Sequence, residues 1–274
     1  MKFFAVEGNS QWLDGGAMFG NAPKELWKKW IDPDQKNRIH LATRTLLVET
    51  DQGKRILFDA GVGTFFDPKL RERYGVVEEE HMLLKNLKAL GVDEDSIDGV
   101  ILSHLHFDHC GGLLSSYQDG PLKLLFPNAT VYVGKRHWER ALHPHPREKA
   151  SFIPKLHQLL LDSNRLQLLT ESHHPDLPEV TFKYFDGHTT GLVVSEIENF
   201  VFLSDLIPAV PWVHVPITMG YDRFAEKAVD EKEDYLNTLV QSNKTVCFVH
   251  DLNVSFAHIQ KNAKGRFIAE PISV

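Results

Sequence analysis

Apolar positions along the 274-residue chain follow two different periods. Alternating or short continuous apolar runs predict strands at Phe3–Val6, Leu41–Thr50, Arg55–Asp59, Gly99–Ser103 and Ala129–Val133. Further strands are expected at Val180–Phe185, Gly191–Ile197, Phe200–Ser204, Thr245–Val249 and Phe267–Ile272. Asp51-Gln52-Gly53 supplies hairpin-turn chemistry between the second and third of these runs. Helical spacing appears at Glu79–Leu90, where Leu83, Leu87 and Leu90 fall at i, i+4 and i+7 and Gly91 follows as a cap. Helices are also predicted over Lys135–Leu142, Pro154–Leu161, Phe224 to about Val240 and Ser255–Lys264. The alternation has no regular βαβ period, which suits a mixed α/β sandwich better than a barrel or a doubly wound sheet. There is no internal repeat, low-complexity stretch or Gly/Ser linker, so residues 1–274 read as a single domain.

Composition narrows the picture. With 42% hydrophobic and 24% charged residues, the chain can bury a full core and is not a disordered segment. The net charge of −7 weighs against nucleic acid as a partner. Only two cysteines occur, Cys110 and Cys247, without C-x-x-C spacing, which fits a reducing cytoplasm. No apolar run approaches a membrane span, and Phe3–Val6 is too short for a secretory signal. The expectation is a soluble cytoplasmic protein acting on a small molecule, with neither membrane nor nucleic acid as partner. One number stands out, the 15 histidines.

The strongest local signal is His104-Leu105-His106-Phe107-Asp108-His109, directly after the apolar strand Gly99–Ser103. Imidazole and carboxylate are ligands of borderline divalent metals, and closely spaced ligands lower the entropy of assembling a site. His104 and His106 project to one side of an extended chain, and Asp108 and His109 follow where it turns. A solvated histidine cluster is the bland alternative.

The motif resembles the hallmark of the metallo-β-lactamase superfamily. The family's remaining ligands, each at a strand end, match His188 in Asp186-Gly187-His188, Asp205 in Leu203-Ser204-Asp205 and His250 in Phe248-Val249-His250. Leu57-Phe58-Asp59-Ala60-Gly61 is similar to its strand-then-Asp-x-Gly signature. The resemblance runs from about Leu41 to His250 and implies a four-layer αββα sandwich. It also implies two divalent ions, zinc first among zinc, manganese, iron and cobalt. His104, His106 and His188 would hold one, Asp108, His109 and His250 the other, and Asp205 would bridge them. Asp59 would accept a hydrogen bond from a ligand imidazole N–H and so fix its tautomer. The implied reaction is hydrolysis by a hydroxide shared between the ions, with Asp108 and Asp205 as the catalytic carboxylates.

Branches of the family can be separated on residues. The β-lactamases with a cysteine ligand carry Cys where this chain has Asp205, and flavodiiron proteins carry Glu where it has His106. The RNA-cleaving branches usually add a domain or a basic arm. What remains are hydrolases of small esters and lactones, with glyoxalase II-like thioesterases and phosphotriester or aryl esterases as alternatives. A metal-containing binding module without turnover is the alternative outside enzymes. Leu13-Asp14-Gly15-Gly16-Ala17-Met18-Phe19-Gly20, with Pro23 and Trp27, looks most like lactonase and methyl parathion hydrolase members. Acylhomoserine lactonases usually place a tyrosine three residues after the bridging Asp; here Pro208 occupies that position, and Tyr221 is the candidate replacement. The aromatic segments Trp12–Ile31 and Ile207–Tyr221 suggest substrate contacts from Trp12, Phe19, Trp27, Trp212 and Tyr221, or alternatively core or a homodimer contact. Lys261, Lys264 and Arg266 read as a solvated helix face. Cys110 reads as a small buried filler, and the ten other histidines as structural or exposed.

Overall fold

The computed structural model describes residues 1–273. In chain order the strands are β1 (Lys2–Glu7), β2 (Gln11–Asp14), β3 (Arg38–Leu41), β4 (Arg44–Glu49), β5 (Arg55–Phe58), β6 (Gly99–Leu102) and β7 (Thr130–Gly134). They continue as β8 (Leu166–Leu169), β9 (Val180–Phe185), β10 (Leu192–Ile197), β11 (Phe200–Phe202), β12 (Thr245–Cys247), β13 (Phe256–Lys261) and β14 (Phe267–Ile272). The helices are α1 (Gly15–Phe19), α2 (Lys24–Trp27), α3 (Pro68–Tyr74), α4 (Met82–Ala89), α5 (Phe107–Cys110), α6 (Lys135–Leu142), α7 (Pro154–Asp162) and α8 (Ala225–Ser242). The chain divides into two compact units, one of Met1–Gln11 with Ala42–Thr170, the other of Trp12–Leu41 with Glu171 onward.

The first unit is built on a six-stranded sheet in the order β1-β4-β5-β6-β7-β8. Its first two pairings are antiparallel and the rest parallel. Parallel neighbours need long crossovers, and α3 and α4, then α5, then α6 and α7 supply them. Alternate strand residues Leu47, Leu57, Val100 and Val131 join Leu83 and Leu87 of α4, Trp138 of α6 and Leu156 and Leu160 of α7 in one core. Each fully buried leucine of this kind stabilises the fold by roughly 1.5–3 kcal/mol. Helix α4 begins at His81, whose ring accepts the Leu84 N–H, and ends before Gly91 at φ 74°.

The second unit carries the sheet β14-β13-β12-β11-β10-β9, antiparallel except for β11 beside β12, with α8 as their crossover. Leu236 and Leu239 of α8 pack with Leu192, Val194, Val201, Val246 and Ile259. Strand β14 forms one edge and contains Pro271, which an edge position tolerates because the missing N–H is needed by no inner neighbour.

Three expectations need correction. Ser255–Lys264 is not a helix: Phe256–Lys261 is β13, paired with both β12 and β14, and Asn262 to Gly265 (φ 73°) turns the hairpin between β13 and β14. Phe256, Ala257 and Ile259 are buried on a strand paired along both edges, and so short an apolar run has no decisive period. Lys261, Lys264 and Arg266 therefore sit on a strand end and a turn, not on a helix face. Finally, Phe19, Trp27 and Trp212, expected as substrate contacts, are core. Phe19 stacks at 5.2 Å on Trp27 and at 4.4 Å on Trp212, all three essentially without exposure.

Among the described residues, no helix is long and apolar enough to cross a membrane.

Candidate metal centre

Strand ends position the polar residues. In the first unit, β5 delivers Asp59 and β6 delivers Ser103 and the motif His104–His109, the last four residues of which form or border the single turn α5. Asp59 is fully buried and adopts φ 59°, a left-handed conformation that turns its carboxylate back under the motif. One carboxylate oxygen accepts the Ser103 N–H at 2.7 Å. The other accepts the Ser103 hydroxyl at 2.8 Å and faces His109 Nδ1 at 2.8 Å. The turn is tight enough that a Cβ on Gly112 would lie 1.9 Å from the Ala60 carbonyl oxygen, so only glycine fits there.

The motif histidines converge. His104 and His106 have ring centroids 4.4 Å apart, and His104 and His109 4.0 Å apart. Each ring meets a polar partner. The Ser103 hydroxyl lies 3.0 Å from His104 Nδ1. His106 Nε2 meets the Glu148 carboxylate at 3.2 Å, and Glu148 is held at 2.6 Å by Arg140. His137 Nε2 accepts the Leu105 N–H at 2.8 Å, fixing the backbone between the first two histidines. Asp108 accepts a hydrogen bond at 2.8 Å from the buried Gln11 amide, and its other oxygen stands 3.9 Å from His109 Nε2. Cys110 is fully buried, and burial together with the charges of Asp59 and Asp108 pushes its thiol well above the ordinary range. It donates to the His106 carbonyl and stays protonated, which suits neither a ligand nor a nucleophile.

In the second unit, His188 follows β9, Asp205 follows β11 and His250 follows β12. The residue before Asp205, Ser204, is also left-handed, at φ 47°. The two oxygens of Asp205 face two different imidazoles: Oδ2 is 3.2 Å from His188 Nε2, and Oδ1 is 3.2 Å from His250 Nε2. His188 Nδ1 is fixed at 2.8 Å by Asp222, whose other oxygen accepts the Met219 N–H. His250 is fixed through its backbone, its N–H donating to the Pro208 carbonyl at 2.9 Å. Trp12 stacks on His40 at 4.6 Å, and Tyr221 is 42% exposed.

The donor chemistry fits divalent ions. Two donors about 2.0–2.2 Å from a shared tetrahedral ion lie roughly 3.4 Å apart, close to the 3.2 Å separations around Asp205. In His109 and His188, Nδ1 is committed to a carboxylate, which leaves the Nε2 lone pair for a metal. In His106 the commitment is reversed, so Nδ1 is the donor.

The second unit also contains a cavity of about 1010 Å³. His250 forms part of its wall, and Trp30, Ile31, Phe267 and Ile268 form much of its apolar lining.

A family model described as Metallo-beta-lactamase superfamily matches residues 40–250. An N-acyl homoserine lactonase of Bacillus thuringiensis subsp. kurstaki is 28% identical over 165 residues, covering 56% of this chain and 57% of the relative. The match thus spans little more than half of that relative. A solved structure of a probable metal-dependent hydrolase from Staphylococcus aureus superposes with a TM-score of 0.87 at 26% identity, covering 100% of this chain and 97% of the other. That superposition bears out the expected fold class. A dizinc quorum-quenching lactonase, solved with a product, reaches a TM-score of 0.78 at 23% identity over 99% of this chain and 94% of its own, a likeness of fold alone.

Proposed function

The chain belongs to the metallo-beta-lactamase superfamily, and from that premise we propose that it is a dinuclear metal-dependent hydrolase of small esters or lactones. The observation that carries the reading is Asp205, a buried carboxylate presenting one oxygen to each of two imidazoles. A carboxylate so placed suits a bridge between two ions better than a ligand of one. His104, His106 and His188 would hold one ion, Asp108, His109 and His250 the other. Zinc suits a set of imidazole and carboxylate donors, and manganese, iron or cobalt are accepted by the same set. When bound, such a pair would acidify a shared water to near neutrality and polarise a carbonyl oxygen.

The remaining work falls to the protein. Asp59, Glu148 and Asp222 fix the tautomers of His109, His106 and His188. Gln11 holds one oxygen of Asp108, which leaves the other, turned toward His109 Nε2, to serve as the ligand. The cavity beside His250 supports a substrate with an apolar portion; its volume reaches the upper end of the roughly 300–1,000 Å³ usual for small-molecule sites. Pro208 takes the place of the tyrosine usual in acylhomoserine lactonases and instead anchors His250, which favours other esters or lactones as substrates.

The test is elemental analysis of protein purified without added metal, followed by lactone, aryl ester, thioester and phosphotriester substrates on the metal-replete protein. Two equivalents of a divalent ion and turnover strongest on an ester or lactone are expected. Turnover only on thioesters or phosphotriesters would replace the substrate class. Two bound ions with no turnover on any class would favour a binding module.

A further inference from the structure

We propose that Lys232 is a positioning residue, acting through Asp222 to hold His188 in the orientation that a metal requires. The inference rests on the metal reading above.

Lys232 lies on α8 and is only 3% exposed, an uncommon place for an ammonium group. It donates to the main-chain carbonyls of Ile217 and, at 3.4 Å, His214. Those carbonyls belong to the loop that carries Met219, whose N–H donates to Asp222 at 2.8 Å. Asp222 in turn faces His188 Nδ1 at 2.8 Å. Lys232 and Asp222 also line the same small cavity as His188 and Asp205. Burial drives the amine toward its neutral form while the charge of Asp222 opposes that shift, and the balance leaves it at about 8. The cation and the carboxylate therefore support each other in a region from which water is largely excluded.

The start of the helix is clamped to another loop, the one that carries His188. Arg223 and Phe224 donate their N–H groups to the carbonyls of His188 and Gly187, at 3.0 and 2.9 Å. Glu231 accepts the N–H groups of Asp186 and Gly187. A Cβ on Gly187 would lie 2.4 Å from Ala228 Cα, so α8 sits directly against the residue before the histidine. Lys232, one turn beyond Ala228, is placed to fix the neighbouring loop from His214 to Met219. The first unit repeats the order of groups: Arg140 holds Glu148, which holds His106. A cation behind the carboxylate that orients a ligand histidine thus occurs in both units.

The experiment is zinc titration of metal-free protein against a chelating indicator, with a thermal melt of the metal-free form alongside. Lys232→Met keeps an unbranched side chain, one atom shorter, and removes the charge. It should weaken one of two zinc equivalents by about 10-fold, the lower end of what outer partners of ligands contribute. Asp222→Asn should weaken the same equivalent by at least as much. Lys232→Met in the Asp222→Asn background should add less than 2-fold, because the route through Asp222 is already gone. Unchanged affinity in Lys232→Met would overturn the inference, as would an undiminished further loss in the Asp222→Asn background. Should Lys232→Met alone fail to fold, the double variant, neutral at both positions, compared with Asp222→Asn decides the question. Absence of zinc binding by the unsubstituted protein would remove the metal reading and this inference with it. Two equivalents bound equally well with and without Lys232 would remove this inference alone.

Discussion

Asp59→Asn isolates the role of one buried carboxylate, because asparagine tolerates the left-handed φ of 59° and keeps the shape of the side chain. Asp59 accepts three hydrogen bonds, from the Ser103 N–H, the Ser103 hydroxyl and His109 Nδ1. The Ser103 N–H can only donate, so the asparagine oxygen must remain opposite it. The new amide NH2 then faces the hydroxyl and the ring. Ser103 adapts by turning its hydroxyl proton out of this pair, so that its oxygen accepts from the amide and still accepts from His104 Nδ1, 3.0 Å away. His109 adapts only by moving its proton from Nδ1 to Nε2, the nitrogen assigned to a metal. Breaking that arrangement to bind the ion forfeits a hydrogen bond worth about 1.5–3 kcal/mol, or about 10- to 100-fold in affinity. Zinc titration against a chelating indicator should therefore show one equivalent weakened by that factor and the other nearly unchanged. The metal-free melting temperature should fall by only a few degrees, since one buried hydrogen bond is exchanged rather than lost. Equal weakening of both ions in parallel with a large drop in melting temperature would refute the tautomer argument, as would unchanged affinity for both.

Two further outcomes follow from burial and packing. Desolvation holds His157 at about 4 instead of 6.5, so the unfolded chain gains a proton below about 6.5 that the folded chain refuses until about 4. Its contribution to stability is fully present above 6.5 and is lost as pH falls through that window, in total roughly 3 kcal/mol; His157→Phe, whose ring can pack on Trp138 as the imidazole does, should flatten this acid limb in urea unfolding followed from pH 7 to 5, and an unchanged slope would contradict the assignment. Gly187→Ala drives a Cβ into the α8 backbone and should destabilise by about 1–3 kcal/mol, read as a lower urea midpoint at unchanged m-value; wild-type stability would mean that the helix and loop are not locked.

The histidines of the proposed site were legible because they fall close together in sequence or directly at strand ends, as with His104, His106 and His109. Most strands and the long helix α8 were legible from the periodicity of their buried side chains. What supports the ligands was not. Glu148, Asp222, Gln11 and Lys232 lie from 34 to 97 residues from the groups they hold, or act through main-chain carbonyls, and no spacing encodes such meetings. β13 was misread because a short apolar run has no decisive period; its two neighbouring strands decide it. The Phe19, Trp27 and Trp212 stack was misread because aromatic richness signals equally a core or a pocket, and only burial separates them.

The left-handed backbone at Asp59 and Ser204 has a consequence for how the protein could be changed. Each such non-glycine residue costs of order 1–3 kcal/mol, and each sits where a carboxylate must be aimed at a histidine. Glycine at position 204 relieves the conformation and frees the very turn that aims Asp205. At Ser204, selection for heat tolerance and selection for a well-aimed carboxylate therefore pull in opposite directions. A library sorted by thermal survival alone would enrich glycine there and return robust proteins in which Asp205 is loosely held.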